Sequence, residues 1–179
     1  MIKGKHVTLR GLEKEDVKEI MRHWNDLEIR RFIGNPYPVA KEEEEQWIQN
    51  TWESRRKGTE LIFGIEINEG SKLIGTISLN SISRIHRFSE LGIAIWNKKY
   101  WGQGLGTEAI HLILDYAFKT LNLHSIYLTV IEDNERAQRA YKKVGFQQVG
   151  RRRQTIYLEG KYQDLLIMDI LATEYRGAH

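Results

Sequence analysis

Three glycines stand at alternate positions, Gly102, Gly104 and Gly106, in the stretch YWGQGLGTEAIHL, and an amphipathic helical pattern starts directly behind them. Glycine loses more backbone freedom on folding than any other residue, so such a cluster needs a cause. One cause is a tight turn from strand to helix. The other is a ligand that must come closer to the main chain than a Cβ permits. A helix opening out of a glycine turn presents free N–H groups and the positive end of its dipole, which together hold phosphate without a charged side chain. On that reading the amides from about Gly102 to Thr107 form a seat for a diphosphate. The glycines alone do not decide between the two.

The pattern on either side sets the fold class. Val7 and Leu9 alternate with polar neighbours as a first strand, and LEKEDVKEIMRHWND reads as a helix with Leu12, Val17, Ile20, Met21 and Trp24 near helical spacing. Pro36 and Pro38, in GNPYP, mark a turn or loop. KEEEEQWIQNTWESRRKG is a second helical region ending at Gly58, with Trp47, Ile48 and Trp52 as its apolar stripe. LIFGIEI and KLIGTISL are separated by NEGS, a hairpin signal, and SELGIAIW alternates again through Leu91, Ile93 and Ile95. Behind the glycines, Ile110, Ile113, Leu114, Ala117 and Leu121 give an amphipathic helix. SIYLTVI is a strand. NERAQRAYKKVGF is a helix with Asn134 as N-cap and Gly145 as its stop. QQVGRRRQTIYL and YQDLLIMDIL are two last strands around the turn EGK. The expectation is a mixed α/β (α+β) domain over residues 1–179, with about seven strands, mostly antiparallel and with one parallel crossover.

Composition narrows the partners. A chain of 179 residues with 41% hydrophobic and 28% charged residues suits one soluble domain. A net charge of +3 is too mild, and the arginines of RRR (151–153) too local, to argue for nucleic acid. There is no cysteine, hence no disulfide, no thiolate metal site and no cysteine nucleophile, and His6, His23, His111 and His124 have no metal-ligand spacing. The start lacks the apolar core of a signal peptide, and no apolar run approaches the roughly 20 residues of a membrane span. A cytoplasmic protein with no membrane partner is expected. The run Glu42 to Glu45 would attract a polycation, or is simply the wet face of its helix.

Three phosphate motifs compete for the glycines. A P-loop needs a Lys-Ser/Thr pair after the second glycine, which is missing. Gly104, Gly106 and Ala109 fit the dinucleotide fingerprint, with Glu132 or Asp133 as the ribose acid, but NKKYW separates the glycines from their strand and the flanking strands read as antiparallel. The third fits best. WGQGLG resembles the acyl-CoA loop of the GNAT superfamily of N-acetyltransferases, Q/R-x-x-G-x-G/A, with Gly104 and Gly106 at the glycine positions and Trp101 in place of Gln or Arg. Asn134 to Phe146 is similar to the second signature of that superfamily, an Asn, Ala, Tyr and Gly-Phe at matching spacing. IHR, NLHSIYL and GKYQD look like the spermidine N-acetyltransferases, and GKYxD and the tryptophan also like the ribosomal-protein N-acetyltransferases.

That resemblance implies a cosubstrate, acetyl-CoA, and a sheet in which LGIAIW splays from SIYLTVI to form a slot. It implies that the backbone of Ile93, Ala94 and Ile95 pairs with the pantetheine arm, with the Ile95 amide polarising the thioester carbonyl. The loop residues Trp101, Gly102, Gln103, Gly104, Leu105, Gly106 and Thr107 would hold the diphosphate. Asn134 and Ala137 would flank the arm, and Arg139, Lys142 or Lys143 would reach the 3′-phosphate. An alkylamine of pKa about 10.4 is under about one part in a thousand neutral at pH 7, so a base is needed. Glu90 is the candidate, matching a glutamate of the spermidine enzymes, with His86 second. Tyr141 would donate to the departing thiolate. The expected activity is direct transfer of acetyl to a primary amine, of a polyamine or a protein N-terminus, in a ternary complex. A homo-oligomer is compatible with the sequence. The rival readings are a CoA sensor without turnover and a nucleotide-dependent oxidoreductase.

Overall fold

The computed structural model describes residues 1–33 and 37–177, so Pro36 of the expected turn lies outside the described residues. The strands are β1 (Ile2–Lys3), β2 (Val7–Arg10), β3 (Leu61–Ile67), β4 (Lys72–Ser83), β5 (Phe88–Ile95), β6 (Ser125–Ile131), β7 (Gln147–Leu158) and β8 (Lys161–Leu171). They form one sheet in the order β1-β2-β3-β4-β5-β6-β8-β7, one strand more than expected because the two-residue β1 carries no readable alternation. The helices are α1 (Val17–Met21), α2 (Leu27–Arg31), α3 (Lys41–Lys57), α4 (Leu105–Asp115) and α5 (Glu135–Val144). Every strand pair is antiparallel except β5 with β6, whose crossover carries α4. A sheet of that kind has no run of βαβ units, so the dinucleotide reading of the glycines has no frame to sit in.

Alternation along the strands supplies both faces of the sheet. Leu73 packs with Leu12, Val17, Ile20, Ile48 and Trp96 under α1 and α3, while its neighbour Ile74 joins Val7, Leu9, Ile110, Ile113 and Ile126 under α4. Helices therefore cover both sides and the central strands read as near-continuous apolar runs. Local chemistry ends the elements where the sequence says. Gly58 and Gly145 take left-handed φ of 70° and 113° behind α3 and α5. Glu159 and Gly160 take φ of 48° and 80°, the two positive values that a two-residue hairpin between β7 and β8 requires.

The expected helix over residues 12–26 is a correction. The chain instead makes a short 3-10 turn, Lys14–Asp16, then α1, then a bend, then α2, which the sequence did not reveal. Arg10 explains the first break. Its guanidinium binds both oxygens of Asp16 at 2.8 Å and Glu66 at 2.5 Å, pinning the turn to the sheet. Asn25 and Asp26 explain the second. The Asn25 amide exchanges two hydrogen bonds of 2.9 Å with the Val39 backbone, and Asp26 accepts from the Glu28 N–H at 2.9 Å as the cap of α2.

The acidic run on α3 is not uniformly wet. Glu43 accepts the Ala40 N–H at 2.6 Å and Glu45 pairs with Lys41 at 3.1 Å, but Glu44 is 4% exposed and faces the charge of Arg30, itself 3% exposed. Burial pushes the Glu44 carboxyl up to about 7, and Arg30 only partly opposes this. Between pH 4.5 and about 7 the folded state then holds a proton that the unfolded chain has released, so stability falls as pH rises through that window and is level above it. Unfolding free energies of wild type and Glu44→Gln, measured across the window, are expected to diverge by about 3 kcal/mol in total, an order-of-magnitude figure. Parallel curves would mean that Glu44 is ionised throughout.

Candidate active site

The site begins where two strands part. β5 and β6 pair only through Phe88–Ser125, Ser89–Ile126 and Glu90–Tyr127. Beyond Glu90, β5 stays with β4 and β6 stays with β8, leaving a cleft of about 730 Å³. Its walls are β5, the end of β6, the start of α4 and the inner side of α5. The Trp96 N–H donates to the Ile74 carbonyl at 3.1 Å. Antiparallel pairing alternates, so the backbone groups of Ala94 face β4 while those of Ile93 and Ile95 face the gap. Ala94 lines the cleft but is committed to Thr76, which corrects the expectation that all three residues offer main-chain partners. The Ile95 carbonyl is taken by the Trp101 indole N–H at 2.7 Å, which leaves the Ile95 N–H and both groups of Ile93.

The glycines divide their labour. Gly102 and Gly104 have φ of 73° and 81°, and a Cβ on either would meet nothing within 4 Å. They supply backbone shape beside open space. Gly106 has ordinary φ, but a Cβ there would stand 3.3 Å from Ile95 Cδ1, so it lets α4 settle on β5. The first intrahelical bond of α4 runs from the Glu108 N–H to the Gly104 carbonyl at 3.0 Å, and no side chain caps the helix. The amides of Leu105, Gly106 and Thr107 are therefore without intrahelical partners and line the cleft. This is the arrangement that suits a diphosphate.

The structure brings the other sequence candidates together, with three exceptions. Glu90, Trp101, Asn134, Ala137, Arg139, Tyr141 and Lys143 all line the cleft. Gln103 does not, because its amide folds back to donate to the Lys99 carbonyl at 2.6 Å and braces the loop. Lys142 also lies outside. His86 sits on the exposed turn between β4 and β5, stacked on Phe88, and has no access to the gap. Asn134 caps α5 by accepting the Ala137 N–H at 3.2 Å. Arg139 pairs with Glu135 at 3.0 Å.

Two groups have chemistry set by their surroundings. Tyr141 is 7% exposed, edge-on to Phe146, and burial pushes its phenol up to about 12. It stays protonated at any working pH, as a donor. Glu90 occupies the last paired position before the strands part, beside Tyr127, whose phenol is raised by burial and then by the Glu90 charge and hydrogen bond. Sequence reasoning missed Glu28 and Phe32, on or beside the unforeseen α2, and Arg136, in the first turn of α5. Glu28 is held by Lys98 at 2.6 Å. The Arg136 guanidinium lies over the Trp101 ring at 3.3 Å.

A parted strand pair, a main-chain cradle at one end and a buried phenol within it together define an acyl-transfer slot built for a phosphate-bearing donor. The chain belongs to the GNAT acetyltransferase family, the acyl-CoA-dependent N-acetyltransferases: the model of the acetyltransferase (GNAT) domain matches residues 6–147. Among its relatives, the spermidine N(1)-acetyltransferase of Vibrio cholerae is 34% identical over 94% of this chain and 95% of its own length. The spermidine N(1)-acetyltransferase of Escherichia coli K12 is 32% identical over 97% of this chain and 90% of its own. A crystal structure of the Vibrio cholerae enzyme in complex with CoA and spermine superposes with a TM-score of 0.86 at 32% identity, covering 96% of this chain and 99% of that one. No helix among the described residues is long and apolar enough to cross a membrane.

Proposed function

We propose that this chain transfers the acetyl group of acetyl-CoA to a primary amine of a polyamine, spermidine being the leading acceptor. The observation that carries the reading is the parting of β5 from β6 at Glu90, with unpartnered amides at the mouth of the gap. The polyamine is favoured by the two relatives named above and by the carboxylates of Glu28 and Glu90 on the cleft wall. A protein N-terminal amine is the second reading, because Lys98 already neutralises Glu28 at 2.6 Å. The reading treats residues 1–179 as one catalytic domain working in the cytoplasm.

Acetyl-CoA supplies the activated acyl group: the neutral amine nitrogen forms the new bond to the acetyl carbon, the carbon–sulfur bond breaks, and the departing thiolate takes up the proton that the new amide nitrogen sheds, so that CoA leaves as the thiol. The residues of the chain do the rest. Leu105, Gly106 and Thr107 hold the diphosphate through their amides. The Ile93 backbone extends the sheet by one strand along the pantetheine, and the Ile95 N–H points to the carbonyl oxygen, where negative charge grows. Glu90 takes the proton of the incoming ammonium, directly or through water. Tyr141 donates a hydrogen bond to the departing sulfur. Both substrates meet in one cleft, so the transfer is direct.

Release of free thiol from acetyl-CoA across spermidine, spermine, amino acids, aminoglycosides and short peptides tests the reading. Spermidine and spermine are expected to give turnover at least about tenfold above the peptides in kcat/KM, a selectivity on the order of 1.4 kcal/mol. Preference for peptides would transfer the assignment to an N-terminal amine. Thiol release with none of the amines, despite tight CoA binding, would leave a sensor.

A further inference from the structure

Arg136 projects from the first turn of α5, on one wall of the slot, and Trp101 from the loop before α4, on the other. Their contact, at 3.3 Å from guanidinium carbon to ring centroid, bridges the mouth. The ring is not free to drift, because its N–H is fixed to the Ile95 carbonyl at 2.7 Å. A guanidinium laid face-on against an indole keeps its five N–H donors in its own plane, around an open edge. No hydrogen bond or ion pair reaches that edge from the described residues; Glu28 acts on Arg136 through its charge alone. Arg139, the next arginine on the helix, is by contrast spent on Glu135. Arg136, Trp101 and the unpartnered amides of Leu105 to Thr107 line the same cleft. A guanidinium held on an indole, in the same cleft as a main-chain anion seat, matches the bidentate geometry of a phosphate.

We propose that Arg136, held in place by Trp101, is a donor-binding residue that closes the mouth of the slot over a phosphate of the bound coenzyme. The inference rests on the acetyl-CoA reading above and adds a side-chain grip to a cradle otherwise made of backbone. It also gives Trp101 a task, as the platform that orients the cation.

Calorimetric titration of CoA, and of pantetheine, which lacks every phosphate, into wild type, Arg136→Ala and Arg136→Lys tests this without needing the acceptor. Arg136→Ala is expected to weaken CoA about 10- to 100-fold, the range of a charge-assisted bond, and to leave pantetheine unchanged. Arg136→Lys should fall between, keeping the charge and losing the fork. The difference between wild type and Arg136→Ala should shrink as salt is raised. Equal CoA affinity in Arg136→Ala would overturn the inference and leave the acetyltransferase reading standing. So would an equal loss for both ligands, which marks packing, or a rise confined to the KM of the amine, which assigns Arg136 to the acceptor. A wild type that does not bind CoA would bring down the parent reading and this one with it. Matched melting curves for the three proteins exclude misfolding as the cause of any loss.

Discussion

Tyr141→Phe is expected to lower kcat by about 100-fold or more while leaving the KM for acetyl-CoA within about twofold, the pattern of an interaction made only as the bond to sulfur breaks. Phenylalanine keeps the ring, and with it the edge contact to Phe146 at 5.9 Å, so the melting temperature should not fall. What disappears is one buried O–H in the cleft. Its role is narrower than full proton delivery. With the phenol at about 12 and a thiol at about 8.5, complete transfer is uphill by about 5 kcal/mol, an order-of-magnitude figure. A hydrogen bond to the developing thiolate requires no such transfer, and the low polarity that raises the phenol also strengthens that bond. Because Tyr141 does not titrate between pH 6 and 9, the variant should keep the shape of the wild-type pH profile and lose only its height. Unchanged kcat would reduce Tyr141 to a packing residue. A changed pH profile would mean that the phenol itself titrates during the reaction.

Much of the sheet was legible because its signals are local. NEGS between two alternating runs, the pair Glu159–Gly160, and Asn134 and Gly145 at the two ends of α5 each carry their own geometry in their residue types. The slot was legible only through resemblance, since no period in the sequence says that β5 and β6 separate after Glu90. The misses share a cause. Arg10 reaches across to Asp16 and Glu66, and that contact, between residues six and fifty-six apart, breaks a helix that the apolar spacing of Leu12, Val17 and Ile20 predicts. Glu44 looks like its three neighbours in sequence, yet α2 brings Arg30 over it and closes off water. The sequence treats the three glycines as equals, but the structure separates them: Gly102 and Gly104 border open space, whereas the missing side chain of Gly106 makes room for Ile95. Arg136 was invisible because its partner lies on the opposite wall of a gap, and nothing local marks it.

Gly75 carries the second large effect, and it does so from β4, outside the slot. It pairs with Ile95, and a Cβ built on it would collide with the Ala94 carbonyl oxygen, stand 3.0 Å from the Ile95 Cα and 3.2 Å from the Ala94 carbonyl carbon. All three atoms are backbone, so no rotamer change relieves the clash. β5 would have to move away from β4 at the two residues that present the slot its Ile95 N–H. Gly75→Ala is therefore expected to destabilise the fold by about 2–3 kcal/mol, the cost of overpacking. Turnover should fall about 100-fold even at temperatures where the variant is folded, because a shift of about one ångström in a positioned group costs that much. Gly92→Ala is the internal comparison. Gly92 is on β5 itself, but its Cβ would meet Ser78 Oγ at 2.7 Å and Asn80 Nδ2 at 3.2 Å, side-chain atoms able to rotate aside. Its stability loss should stay under about 1 kcal/mol. Equal melting temperatures and equal turnover for Gly75→Ala and wild type would show that β5 does not depend on this close approach. Equal losses in the two variants would show that added bulk anywhere along the ladder, and not the backbone clash at Ala94, is what the site cannot tolerate.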